Sequence, residues 1–381
     1  MGVDVQIGTR VAIVTFPLGE SGGIPLSNLI ALSSRIADRV YVVSGGAALK
    51  GLKYSRNIRE VIHKQSSNIV ARVINYAHTE LMVLCNVILM HRMVDFYVFF
   101  IGGETLIAPI LTLKILRNKV IVMPGGIVAK GYSIRNDPFA GLVSAMISFN
   151  LTLADWIIAY SPRLISEGRW RKHQHKMLIA HEHFVDFNLF KMDKSTEKRR
   201  DIVGYVGSLS KAKGILNLVK AIPYVLEERE ACFMIYGRGV LVNEITNYIA
   251  AEGLREHVKL MGWIRHEDLP RCLNEMRLLV LPSLTEGLPN VILEAMACGT
   301  PVLTTPVGAI PDVVTNAENG LFLESSDAKY IARKIIELLS DPRLLDKVSI
   351  NASTYVRKNF GFEKVLETWR RVFKELGLGA G

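Results

Sequence analysis

The chain has only four cysteines, Cys85, Cys232, Cys272 and Cys298, and no two of them form a Cys-x-x-Cys pair. That excludes a disulfide framework and a zinc ribbon, and it fits a reduced cytosolic protein with buried thiols. No Gly-x-Gly-x-x-Gly fingerprint follows the first apolar run, and no acid ends the next one, Val40–Val43, which disfavours a nicotinamide dehydrogenase. No Asp-x-Asp pair occurs, so no catalytic metal is required and no cofactor is expected. Crossing a bilayer takes about 20 uninterrupted apolar residues. Glu80, Asn86, His91, Arg92 and Asp95 interrupt the one long apolar segment, so a transmembrane span is not expected. Met1–Thr9 is polar and Val11–Phe16 is too short for a signal-peptide core, so the Asn150 and Asn351 sequons are expected to stay unmodified.

The sequence does have enough length for two ordinary cores: 381 residues, 49% of them hydrophobic and 22% charged. Its net charge of +10 is uneven. Residues 1–185 hold 20 Lys/Arg against 11 Asp/Glu, and the remainder holds 26 against 25. An anionic partner should therefore meet the first half. Lys50, Lys53, Arg56, Arg59, Lys64 and Arg72 precede or enter an apolar helix expected over 69–93, a pairing that suits an anionic membrane surface or an ordinary buried helix with a solvated flank. No nucleic-acid partner is expected.

Short apolar runs alternate with helical stretches throughout. In the first half the runs are Arg10–Phe16, Val40–Val43, Asp95–Ile101, Lys119–Met123, Asp155–Ser161 and Lys176–Ala180, with a helix expected from Pro25 to Asp38. In the second half they are Ile202–Gly207, Cys232–Tyr236, Val258–Met261, Leu278–Leu281, Val302–Thr304 and Gly320–Leu323. This pattern predicts an α/β protein with two Rossmann-like, doubly wound parallel sheets. The expected boundaries are 1–188, 189–360 and a final helix over 361–381, with Lys191–Arg200 as a polar linker. Ligands sit at the carboxyl ends of such strands. That places the Gly22-Gly23 loop, Glu104 and the Gly125-Gly126 turn on the substrate side of the first domain, where a plain tight turn and a helix-start charge are the competing readings.

The stretch from Ser283 to Gly299 carries the most chemistry. A buried strand, Leu278–Leu281, leads into a polar loop with Glu286, then a helix with Glu294, closed by Gly299. Pro289 suits the first helical turn, and the amides of Gly287, Leu288, Asn290 and Val291 should point out of the helix start, where the dipole favours an anion. Carboxylates accept paired hydrogen bonds from vicinal hydroxyls, so a sugar joined to a phosphate suits the pair. Lys213, at the entrance of the first helix of the second domain, is placed to meet a phosphate.

The Glu286-x7-Glu294 stretch, with Pro301-Val302 and Gly308-Ala309-Ile310-Pro311-Asp312 after it, resembles the signature of the retaining glycosyltransferases of family 4, also called glycosyl transferases group 1. The resemblance covers the second half throughout and the first half loosely. It implies two Rossmann-like domains facing a cleft, the B-type glycosyltransferase architecture, with a last helix that crosses back to the first domain and closure that excludes water. It implies that Glu294 holds the ribose, that Glu286 faces the donor sugar, that Lys213 and the loop amides meet the diphosphate, and that the backbone around Ile264 meets the base. The Gly22-Gly23 loop would close over donor phosphates and acceptor. The implied reaction is metal-independent, retaining transfer of a hexose from a UDP- or GDP-sugar to a glycan or lipid-linked acceptor, on the cytoplasmic side or peripheral to the inner face of a membrane.

Two positions depart from the family pattern. Ser208 stands where the family usually has an Arg on the diphosphate; Lys211 or Arg238 could supply that charge. No His follows Met123-Pro124, where many relatives place one near the reacting sugar; Glu104 is a candidate substitute. These departures keep a catalytically silent sugar-nucleotide binder open, and a nucleotide-sugar epimerase is a further alternative. His173, His175, His181 and His183 suggest zinc, yet the intervening strand should separate the pairs by about 17 Å, so a metal is not expected there.

Overall fold

The structure, a computed structural model, describes residues 8–19, 22–46, 49, 57–64 and 66–377. Glu20 and Ser21 of the Gly-rich loop, and Lys50, Lys53 and Arg56 of the basic segment, lie outside the described residues. Two compact units result. The first comprises Met1–Tyr132, Asp137–His183 and Val365–Gly381; the second comprises Ser133–Asn136 and Phe184–Lys364. The change of unit falls at 183/184, against the expected 188/189. Val185 N donates to Phe360 O and the Phe184 ring meets Phe362 edge-on, which draws this segment into the second unit. The last segment counts with the first unit, where buried Trp369 donates its indole N–H to His181 O at 2.8 Å.

The first unit contains strands β1 (Arg10–Thr15), β2 (Arg39–Ser44), β3 (Ile58–Glu60), β4 (Phe96–Phe100), β5 (Lys119–Met123), β6 (Trp156–Ala159) and β7 (Met177–Ile179). They form one parallel sheet in the order β3-β2-β1-β4-β5-β6-β7. Val11–Val14 and Val98–Phe100 are buried, as strands covered on both faces require. Its helices are α1 (Gly23–Ser33), α2 (Ile69–Met90), α3 (Ile107–Ile115), α4 (Val128–Ile134, which ends in the second unit), α5 (Ala140–Leu153) and α6 (Pro162–Glu167). α1 stops five residues before the expected Asp38, because Asp38 N turns to Thr9 O, leading into β2. Helix α2 begins at the Asn68 cap, whose side chain accepts from Ala71 N, and ends before the expected Met93 where Asn118 takes the His91 carbonyl.

The second unit holds β8 (Ile202–Val206), β9 (Cys232–Tyr236), β10 (Val258–Gly262), β11 (Leu278–Leu281), β12 (Val302–Thr304) and β13 (Leu321–Phe322), all parallel, in the order β10-β9-β8-β11-β12-β13. Helices α7 (Ile215–Leu226), α8 (Val242–Ala251), α9 (Leu269–Glu275), α10 (Asn290–Ala297), α11 (Ala328–Leu339) and α12 (Pro342–Asn359) follow, then α13 (Phe362–Glu375), most of which belongs to the first unit. In each sheet the strand order reverses once, between β1 and β4 and between β8 and β11. Such reversals open a crevice at the carboxyl ends of the strands.

The segment expected as a linker is partly interior. Arg199 is buried, and its guanidinium donates to the carbonyls of Lys194, Leu273, Met276 and Cys298 and to Thr300 Oγ1. Leu273, Met276 and Cys298 lie at the C-terminal ends of α9 and α10, where carbonyls lack helical partners and the dipole favours a cation. Arg199 therefore ties both helix ends into place.

Candidate active site

The loops after β8 and β11 flank the reversal point of the second sheet, and their backbones are joined. Gly214 adopts φ +64°, and a Cβ there would lie 1.9 Å from Pro282 O, so a side chain is excluded. Leu284 N donates to Ala212 O at 2.8 Å. Lys213 closes a short 3-10 turn at the entrance of α7, and its Nζ lies 2.7 and 2.6 Å from the two carboxylate oxygens of Glu286. The Glu286 side chain is 8% exposed and that of Lys213 31%, so the pair sits at the rim with the lysine reachable from solvent. Tyr205 lies beneath this loop, its hydroxyl donating to Ser208 O; burial, with the Glu286 charge, holds it protonated.

A third loop supports Glu286. Gly308, after β12, has φ +60°, and a Cβ there would lie 2.2 Å from Glu286 O. Ala309 N donates to Gly287 O at 2.9 Å, and the Thr305 hydroxyl donates to Ser283 O. This explains why the Gly308-Ala309 pair accompanies the acidic motif in the sequence. Pro289 is the cap residue before α10, one place earlier than the expected first-turn position, and the helix starts at Asn290. The amides of Asn290 and Val291 thus fall in the first turn, before any i−4 acceptor exists.

Glu294 lies on the buried side of α10, and His266 Nε2 is 2.7 Å from its Oε1. The Phe190 ring packs on His266 with centroids 5.0 Å apart. Burial lowers the pKa of His266, but the hydrogen bond and charge of Glu294 outweigh it and raise it above the ordinary histidine value. Sequence reasoning missed His266; 28 residues separate the partners, and only the fold juxtaposes them. Ser208 is exposed and bonds to Ser210. Arg238 is also exposed, with its carbonyl on Leu209 N and its guanidinium 5.6 Å over the Trp263 ring. Ile264, half-buried, follows β10 beside that ring. The site thus offers two reachable cations, Lys213 and Arg238, two carboxylates and an open helix start, the equipment for an anion joined to hydroxyls.

In the first unit, Gly22 and Gly23 cap and begin α1, with Gly22 N on Gly19 O. Gly125 and Gly126 follow β5, and a Cβ on Gly125 would sit 3.0 Å from Ile101 and 3.5 Å from the Tyr160 hydroxyl. Glu104, expected on the substrate side, is instead fully buried, because the turn Gly103–Thr105 folds back under the β1 and β4 ends. Burial pushes its pKa up to about 7, an effect only partly offset by the backbone amides of Glu104 and Gly102. Glu182, equally buried, is pushed up to about 8 by the same desolvation while accepting from Tyr160 Oη at 2.8 Å. Burial pushes His181, nearby, down to about 3. Strand β7 stands between His173 and His175 on one side and His181 and His183 on the other.

The second unit is an α/β domain with this cluster of cations, carboxylates and a helix start at its strand-order reversal. Residues 187–355 match the family described as glycosyl transferases group 1. An uncharacterized glycosyltransferase of Methanocaldococcus jannaschii is 30% identical over 172 residues, which are 45% of this chain and 47% of the relative. The N-acetyl-alpha-D-glucosaminyl L-malate synthase of Bacillus anthracis is 26% identical over 239 residues, 61% of this chain and 62% of that enzyme. The chain spans about half the length of the curated relatives it matches. The crystal structure of Anabaena Alr3699/HepE in complex with UDP has a TM-score of 0.75 at 19% identity, covering 96% of this chain and 99% of that one, so the two share a fold.

Proposed function

We propose that the chain is a retaining, metal-independent glycosyltransferase of family 4 that moves a hexose from a UDP- or GDP-sugar to a glycan or lipid-linked acceptor. The observation that carries this is the convergence of Lys213, Glu286 and the α10 start at the strand-order reversal, with Glu294 one helical stretch further on. Negative charge grows on the diphosphate as the glycosidic bond breaks. Lys213 and the first-turn amides stabilise it there, where a cation already positioned needs no reorganisation. Glu286 orients the donor sugar and Glu294 the ribose hydroxyls. The UDP held by Alr3699/HepE supports a nucleotide donor. The basic first half meets the acceptor, with the protein on the cytoplasmic side and peripheral to the membrane.

Thermal shift with UDP, GDP, ADP and NAD, on wild type and Glu294→Ala, tests the donor half of the reading. Stabilisation by UDP or GDP that the variant loses is the expected result. A response to NAD alone overturns it. Ser208 favours a second reading, a binder without turnover, since a hydroxyl replaces the expected arginine charge. Donor binding with no transfer to any of a broad set of acceptors would decide for that reading.

A further inference from the structure

The carboxyl ends of β1 and β4 flank the reversal of the first sheet, and the residue that leaves β1 there is Phe16. Its half-buried ring lies by the turn after β4, where a Cβ on Gly102 would sit 2.7 Å from Phe16 Cβ. Val61 N donates to Ser44 O, which leads the chain out of β3 past the end of β2 and brings His63 to the same place. The His63 ring meets Phe16 edge-on with centroids 4.8 Å apart, and Tyr76 of α2 stacks on Phe16 at 6.0 Å. The Tyr76 hydroxyl is fixed 2.6 Å from both Glu80 Oε1 and Thr105 O. Three rings from separate elements thus gather at the crevice, and the donor-side reading uses none of them.

Hydrogen bonding decides which nitrogen of His63 carries the proton. Its Nδ1 lies 2.7 Å from Thr79 Oγ1, and the Thr79 hydroxyl donates to Asn75 O at 2.8 Å. With its proton on a carbonyl, Thr79 offers His63 only lone pairs. The pattern therefore assigns the ring proton to Nδ1 and leaves Nε2 as an acceptor. Burial lowers the pKa of His63 by more than the Asn75 backbone bond raises it, which keeps the ring neutral at neutral pH. Among the described residues nothing bonds to Nε2, and the half-buried ring leaves it reachable. Tethering this loop does not require the histidine, since Asn75 Nδ2 already holds Lys64 O at 2.7 Å.

We infer that Phe16, His63 and Tyr76 form a sugar-ring subsite on the first unit, with His63 Nε2 taking a hydrogen bond from a ring hydroxyl. A pyranose presents apolar C–H faces and hydroxyl donors together, which aromatic surface beside one fixed acceptor matches. A carboxylate or a phosphodiester has no proton to give Nε2, and one imidazole alone does not hold a metal. The inference rests on the glycosyltransferase reading only for the role of that sugar as the acceptor; its binding is measured without donor.

The test is nitrogen-15 NMR of the full chain labelled at histidine, titrated with the methyl α-pyranosides of glucose, galactose and mannose without nucleotide. The His63 signals, assigned by their loss in His63→Phe, should show the Nδ1–H form, and at least one pyranoside should shift Nε2. His63→Phe, which keeps a ring but no acceptor, should bind that sugar about tenfold more weakly by ligand-observed NMR. His63→Gln, which keeps an acceptor, should lose less, and Phe16→Leu should also weaken binding, with melting temperatures as the check on folding. An Nε2–H form, no response to any of the three sugars, or His63→Phe binding as wild type does overturns the inference. The two readings fail separately. Sugar bound at His63 without transfer from any UDP- or GDP-sugar counts against the glycosyltransferase reading alone, and transfer with an unchanged acceptor KM in His63→Phe counts against the subsite alone.

Discussion

The two units place acids at the same topological position and treat them in opposite ways. In the second sheet, the loop beside the reversal holds Glu286 at the rim and helix α10 carries Glu294 on its buried side, each against a cation or a histidine that reaches solvent. In the first, the corresponding turn takes Glu104 inside; a second acid, Glu182, is interior as well, and burial raises both pKa values. A strand-order reversal thus provides a crevice but does not decide its polarity. Whether the loop presents a carboxylate or swallows it depends on the residues around it: a partner lysine and supporting glycines in one case, a fold-back under two strand ends in the other.

The sharpest way to break this contrast is to remove the cation of the second unit. Lys213→Ala should lower kcat for transfer about 10³-fold, the scale of losing one preorganised charge contact at a transition state, with a smaller change in nucleotide affinity. Steady-state kinetics on a defined acceptor reads it. Next in size is Arg199→Met, which strands several buried carbonyls and should destabilise the second unit by about 3 kcal/mol, measured by denaturant unfolding. The first unit is probed by pH. Carboxyls whose folded pKa is raised stabilise at low pH, and that contribution falls between the unfolded value and the folded one. His181, with a lowered pKa, acts oppositely but only below its ordinary value of 6.5. Above pH 6.5, stability should therefore fall as Glu104 and then Glu182 ionise, and Glu182→Gln should remove about 2 kcal/mol of that fall by pH 9. The smallest expected effect is at Glu294. His266→Ala should weaken nucleotide binding about tenfold by calorimetry, and His266→Gln, which keeps a donor, less.

Much of the architecture was legible because parallel strands buried on both faces must be continuous apolar runs; Leu278–Leu281 is recognisable from composition alone. Glu286 and Glu294 were legible because a fixed spacing within one loop and helix survives translation into space. What stayed hidden is pairing across the fold. His266 and Arg199 look like surface charges in a polar stretch until α9 and α10 bring their partners to them. The sequence reads Glu104 as a substrate-side group or a helix-start charge, and only the fold-back of Gly103 against Val14 O shows that its side chain is buried.

The Lys213–Glu286 and His266–Glu294 pairs have a consequence for selectivity. With no ligand bound, each carboxylate is already answered by its neighbour. A free phosphate that captured Lys213 would leave Glu286 without its cation, and a free sugar that engaged the carboxylates would replace a charged partner of Lys213 with neutral hydroxyl acceptors. Only a molecule with an anion at one end and hydroxyls at the other satisfies all four side chains together. On the proposed function the site should act as a coincidence detector, so inorganic phosphate and free sugar should be poor competitors for a nucleotide sugar.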